Sequence, residues 1–283
     1  MRDVDVNLYD YARLREQFGT FAEGGATALP ARVEHDLVGD RYRRILAETT
    51  RLVAHQWREH MERSAVKGFL FHGGVGVGKT TMGKRLAYEL CRVFGSDGFV
   101  ENPTNEVVLV MVDGSDIARG RYGDSEERLA ELFEYARDGE SHGHGHHHDD
   151  DPVRRTVLLF DDVESLFMAR SAGTAREWHF SQNSVFFHSI DELDTAHTVV
   201  VLTTNRLDLL DEALVDRFLP YEFETPTTEL LISVARDRCR LQHLTGHDVA
   251  QVLARIRNGP PLRSIREVER VVTKAYVDKV LGD

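Results

Sequence analysis

Gly68-Phe69-Leu70-Phe71-His72-Gly73-Gly74-Val75-Gly76-Val77-Gly78-Lys79-Thr80 decides the fold of this chain. Its first five residues are short and apolar, as a buried strand requires. The remaining eight fit G-x-x-x-x-G-K-[ST]. From Thr81 to Phe94 apolar residues recur at helical spacing, with Met82, Leu86 and Leu90 on one face. Strand, glycine loop and helix is the setting in which this motif holds phosphates. Gly73, Gly74, Gly76 and Gly78 let backbone N–H groups converge without Cβ clashes, and the helix N-terminus adds partial positive charge. Lys79 is placed to reach β- and γ-phosphates and Thr80 to hold Mg²⁺, with Val77 and Thr81 completing the expected contact set. The stretch predicts a nucleoside-triphosphate site.

The rest of the chain repeats the alternation. Val107–Val112, Val157–Phe160 and Val199–Leu202 are continuous apolar runs of strand length, the pattern of parallel strands covered on both faces. Helical spacing falls between them, at about 40–64, 125–137 and 180–193. Such alternation predicts an α/β fold with a parallel sheet sandwiched by helices. From Thr228 onward only helical patterning remains, at about 228–242, 247–257 and 263–281, punctuated by Pro226 and Pro260-Pro261. The expected organisation is an N-terminal extension over 1–35, an α/β core over 36–225 and a small all-helical lid over 226–283. One low-complexity tract, Ser141 to Asp151, is rich in His and Gly. Imidazoles at this density could bind Zn²⁺ or Ni²⁺; the plainer reading is a solvated loop, since glycine-spaced imidazoles lack the fixed geometry of a metal site.

Composition narrows the function. A net charge of −12 argues against gripping a nucleic-acid backbone as the main task. Cys91 and Cys239 are far apart, which suits reduced thiols. Met1-Arg2-Asp3-Val4-Asp5 is charged from the start, unlike a signal peptide, and no apolar run approaches the roughly 18 residues of a membrane span. The expectation is a cytoplasmic protein with no membrane partner. No H-E-x-x-H or G-x-S-x-G occurs, so no peptidase chemistry is indicated.

Polar residues close the apolar runs where ligands bind. Asp161 ends Val157–Phe160, a position from which a carboxylate holds Mg²⁺ opposite Thr80. Asp162 follows and is the candidate base for an attacking water, although it is one methylene shorter than the more usual Glu. Glu164 reads as structural. Asn205, in Thr203-Thr204-Asn205-Arg206 after the run Val199–Leu202, is placed to position water and sense the γ-phosphate. Arg217 follows a short helix and suits an arginine finger reaching into a neighbouring subunit's site; the plainer reading is a helix-end arginine capping carbonyls. In Leu262-Arg263-Ser264-Ile265-Arg266 one arginine faces the γ-phosphate from the lid, and Arg263 is preferred over Arg266.

These motifs, in this order, resemble the AAA+ ATPases over about residues 36–280. Asp36–Gly39 is similar to that family's segment beside the adenine, Gly73–Thr80 to its Walker A and Leu158–Asp162 to its Walker B. Thr203–Asn205 resembles its sensor 1, Arg217 its arginine finger and Arg263 its sensor 2. Asp162-Val163-Glu164-Ser165-Leu166 with Arg170, and Ala213–Arg217, resemble the pachytene-checkpoint type, which remodels HORMA-domain proteins. The segment 114–126 resembles the one carrying a central-pore aromatic, although Tyr122 falls one place late and Arg121 occupies the usual aromatic slot.

The resemblance implies ATP and Mg²⁺ as cofactors, a homo-oligomeric ring of about six subunits, and remodelling of a protein substrate or adaptor. Asp162 keeps open a nucleotide-gated scaffold with weak hydrolysis. A DNA-associated loader is the third reading, which the acidic balance disfavours.

Overall fold

The computed structural model describes residues 7–21, 32–34, 39–94, 107–113, 117, 124–137, 154–167 and 177–281. Residues 36–38, Arg121, Tyr122, the 141–151 tract and Arg170 lie outside them. The chain runs β1 (Asn7–Tyr9), α1 (Tyr11–Phe18), β2 (Gly19–Phe21), β3 (Arg32–Glu34), α2 (Asp40–Arg58), β4 (Gly68–Gly73) and α3 (Lys79–Phe94). It continues with β5 (Val107–Asp113), α4 (Asp124–Arg137), β6 (Arg155–Asp161), α5 (Glu177–Asp191), β7 (Thr198–Thr204), α6 (Glu212–Val215) and β8 (Leu219–Phe223). Three helices close it: α7 (Thr228–Leu241), α8 (His247–Asn258) and α9 (Ile265–Leu281).

The main sheet has the order β1-β5-β6-β7-β4-β8. Every neighbouring pair is parallel except β1 on β5. Period-two alternation of fully apolar strands sends neighbours to opposite faces. Leu158 and Phe160 pack with Leu129, Leu132, Phe133, Phe186 and Ile190 from α4 and α5. Val157 and Leu159 pack with Trp57, Met82, Leu86 and Leu90 from α2 and α3. At about 1.5–3 kcal/mol per buried large side chain, these two layers supply the main drive for folding. The α/β sandwich read from the sequence is the observed architecture, and α7–α9 form a third core around Leu231, Val252, Ile256, Val268 and Val272. Leu230 and Ile265 touch both this lid core and the inner face of the sheet domain.

Three features depart from the sequence pattern. Helix α2 stops at Arg58 rather than near residue 64, and His60 beyond it takes φ 47°. Strand β8 escapes the apolar-run criterion because it is an edge strand with Pro220 inside it and Leu219, Pro220 and Glu222 exposed, which an edge tolerates. Residues 7–18 are part of the folded body: β1 extends the sheet beside β5, and α1 lays Tyr11 in stacked contact with Tyr88 of α3, 5.9 Å between ring centroids.

Candidate active site

Where β4 lies between β7 and β8, connections leave the sheet in opposite directions, and the C-terminal strand ends there open a crevice. The glycine loop leaves β4 at this point. Gly73, Gly76 and Gly78 have φ of 142°, 72° and 101°, values that side-chain-bearing residues resist. Space matters as much as φ. A Cβ on Gly73 would sit 2.1 Å from the carbonyl oxygen of Phe223, and one on Gly76 would sit 3.0 Å from Cβ of Arg266. The loop is therefore clamped between β8 and the lid. Tyr42 fastens it from α2 by donating its hydroxyl to the Val77 carbonyl at 2.9 Å.

Lys79 starts α3 and its side chain is buried among acceptors. Its Nζ donates to the carbonyls of Gly73 (2.9 Å) and Gly74 (2.7 Å) and to Oδ1 of Asn205 (2.8 Å). Burial lowers its pKa, while the charges of Asp162, Glu164 and Asp161 oppose that shift. Thr80 donates its hydroxyl to Oδ1 of Asp161 at 2.7 Å, and Thr203 donates to the same oxygen. The backbone N–H of Asp162 in turn donates to the Thr203 hydroxyl at 3.1 Å. Two strand ends and the first turn of α3 are thus tied at one carboxylate.

Asp162 leaves β6 in the left-handed region, φ 52° and ψ 53°, a conformation that residues other than glycine seldom adopt. Its Oδ1 accepts from Nδ2 of Asn205 at 2.8 Å. Desolvation, then the charges of Asp161 and Glu164, raise its pKa against the pull of Lys79. Glu164, which the sequence reading set aside as structural, meets the same amide: its Oε1 accepts from the backbone N–H and Nδ2 of Asn205, both at 3.3 Å. No spacing rule points to it, because the contact depends on a 3-10 turn at Val163–Ser165 that folds Glu164 back.

A cavity of about 420 Å³ joins these groups to the lid. Gly76, Gly78, Lys79, Thr80, Thr81, Asp161, Asp162 and Asn205 line it, and Tyr42, Val234, Ile265 and Arg266 face them. Of the two arginines that open α9, Arg266 lines the cavity, as Arg238 of α7 does; Arg263 does not, and its backbone N–H donates to Glu267 at 2.6 Å. The backbone N–H groups of Ile265 and Arg266 both reach the Gly76 carbonyl, at 2.9 and 3.4 Å, which turns the next residues of α9 toward the loop. Arg217 stands apart from the cavity. It pairs with Asp191 through Nε and Nη2, both at 2.9 Å, and caps the Ala213 carbonyl through Nη1 at 2.8 Å.

The donor set suits a phosphate chain with Mg²⁺. A glycine loop at a helix N-terminus and the buried Lys79 ammonium favour phosphate oxygens. Thr80 and Asp161 offer hard oxygen ligands within 2.7 Å of each other. Among the described residues there is no group of three or more His, Cys, Asp or Glu side chains able to hold a metal alone. No described helix is long and apolar enough to cross a membrane.

Comparison with known proteins agrees with this geometry. The family model described as the ATPase family associated with various cellular activities (AAA) matches residues 69–224. The chain is 28% identical over 160 residues to a proteasome-associated ATPase of Jonesia denitrificans, covering 56% of this chain and 27% of that protein. It is 27% identical over 158 residues to an AAA ATPase forming ring-shaped complexes from Bifidobacterium animalis subsp. lactis, covering 56% and 27%. A protein of the same description from Corynebacterium glutamicum (strain R) is 28% identical over 150 residues, covering 53% and 25%. The matched region spans about a quarter of each relative's length. Among solved structures, a chain in the E. coli MS115-1 HORMA:CdnC:Trip13 complex shares the fold, with a TM-score of 0.54 at 17% identity over 84% of this chain and 89% of that one. From Phe69 on β4 to Glu224 just past β8, the matched region carries the glycine loop and the strand-end residues described above, and the chain belongs to the AAA family of ATPases.

Proposed function

We propose that this chain hydrolyses ATP as one subunit of a ring and couples turnover to remodelling a partner protein. The observation that carries this reading is the convergence of Lys79, Thr80, Asp161, Asp162 and Asn205 on one cavity between loop and lid. Thr80 and Asp161 would hold Mg²⁺, whose charge offsets that of the phosphates. Lys79 exchanges the Asn205 amide oxygen for β- and γ-phosphate oxygens, which frees that amide to orient a water. Asp162, with its raised pKa, accepts the water's proton. Arg266 approaches from the lid, and Arg217 reaches a neighbouring subunit's phosphate once it leaves Asp191.

Ring assembly draws support from the relatives described as forming ring-shaped complexes. A HORMA-domain partner draws support from the shared fold with a chain of the HORMA:CdnC:Trip13 complex and from the local likeness of Asp162–Leu166. Tyr122 remains the proposed pore contact and lies outside the described residues. The test is ATP turnover and partner conversion by wild type, Lys79→Ala and Tyr122→Ala. Loss of both activities in the first and of conversion alone in the second supports the reading. Conversion that persists in Tyr122→Ala with normal turnover contradicts threading.

One further reading has its own observations. The short Asp162 side chain and the engagement of Arg217 by Asp191 both favour a scaffold that assembles on ATP and turns over little. Tight ATP binding with negligible hydrolysis at every protein concentration would select it.

A further inference from the structure

Asn205 carries one acceptor and two amide hydrogens, and each faces a charged partner. Its Oδ1 meets the Lys79 ammonium at 2.8 Å, and its Nδ2 meets Asp162 at 2.8 Å and Glu164 at 3.3 Å. Turning the amide over would set its oxygen against two carboxylates and its hydrogens against an ammonium, so the orientation is fixed by charge. In the reaction proposed above, Lys79 turns toward phosphate and Asp162 is committed to the attacking water. Glu164 has neither task.

The way Glu164 is held supports a dedicated role. Val163, Leu166 and Phe167 are fully buried beneath the outer helices and anchor the 3-10 turn that carries it. Its Oε1 is engaged twice by Asn205, whereas its buried Oε2 has no hydrogen-bond partner among the described residues. An orphan buried carboxylate oxygen costs stability, so fold alone gives poor reason for an acid here. We infer that Glu164 is a positioning residue that locks the Asn205 amide with its oxygen toward the reacting water, a role beyond the pair of strand-end aspartates. This rests on the ATPase reading above, through the water that Asn205 orients.

Glu164→Ala, Glu164→Gln, Asn205→Ala and the double variant Glu164→Ala/Asn205→Ala are compared with wild type for ATP affinity and kcat, with thermal unfolding as the folding control. The inference expects Glu164→Ala to lower kcat about tenfold, the scale of one positioned hydrogen bond, with ATP affinity nearly unchanged. Glu164→Gln keeps an acceptor oxygen and should fall between. The double variant should be no slower than Asn205→Ala, because both changes remove one function. Losses that multiply, or wild-type kcat in Glu164→Ala, would overturn the inference while leaving the ATPase reading intact. A second readout is independent of turnover. In protein labelled with ¹⁵N-asparagine, the Asn205 side-chain amide, identified by its loss in Asn205→Ala, should shift and exchange faster in Glu164→Ala. An unmoved signal would overturn the inference even if the wild type proved not to hydrolyse ATP.

Discussion

Arg217 and Asp191 face each other as a two-pronged pair, Nε to Oδ1 and Nη2 to Oδ2, both at 2.9 Å. The guanidinium also lies 4.7 Å from the Phe187 ring centroid and caps the Ala213 carbonyl. An arginine so engaged can serve a neighbouring site only by giving up Asp191. Asp191→Ala should therefore lower the protein concentration at which ATP turnover is half-maximal, whereas Arg217→Ala should remove the concentration-dependent part of the rate. Unchanged concentration dependence in Asp191→Ala would count against Arg217 as the shared residue.

The same pair makes a pH statement. The hydrogen bonds from Arg217 hold the Asp191 carboxyl below its ordinary range. A depressed pKa contributes stability that is present above the unfolded value and lost as pH falls through the folded one. Because the pair is partly exposed, its contribution at neutral pH should be about 0–1 kcal/mol. Urea unfolding of wild type and Asp191→Ala should show a small gap at neutral pH that closes in acid. A gap that widens on acidification would contradict the assignment.

Gly76 separates loop from lid. A Cβ there would meet Arg266 Cβ at 3.0 Å and Ser264 Cβ at 3.2 Å, and the φ of 72° adds strain. Gly76→Ala should push α9 from the loop and weaken ATP binding by about tenfold or more, with unfolding temperature lowered by a few degrees. Calorimetric titration beside thermal unfolding separates the two effects. Normal ATP affinity would show that the lid contact is dispensable.

The lid arginines divide the same way. Arg266→Ala should weaken ATP affinity severalfold, because Arg266 lines the cavity and Arg263 does not. Arg263→Ala should leave affinity near wild type. The reverse order in a fluorescent-nucleotide titration would restore the preference that the sequence alone suggested.

Asp162→Glu tests the shortened acid. The added methylene carries the carboxylate farther into the cavity from the same left-handed backbone position. Its kcat should rise severalfold with ATP affinity unchanged; equal or lower kcat would show that Asp162 does not limit turnover.

Much of this was legible in sequence because local rules governed it. The glycine loop, Asp161 and Asn205 are fixed by where apolar runs stop, and the lid helices by their period and their prolines. What stayed hidden depends on long-range pairing. Strand β1 has three residues and exists by pairing with β5 about a hundred positions on. Strand β8 hides behind Pro220 because edge pairing tolerates it. Arg266 faces the cavity because the Gly76 carbonyl sets where α9 begins, and Glu164 reaches Asn205 through the turn that follows a left-handed Asp162. Neither contact has a spacing signature.

The most direct test of the central claim is ATP hydrolysis per chain over a wide range of wild-type protein concentration. A specific rate that climbs and then saturates, and that Arg217→Ala abolishes, is the outcome this account expects. A flat, near-zero rate alongside tight ATP binding would contradict it and leave a nucleotide-gated scaffold.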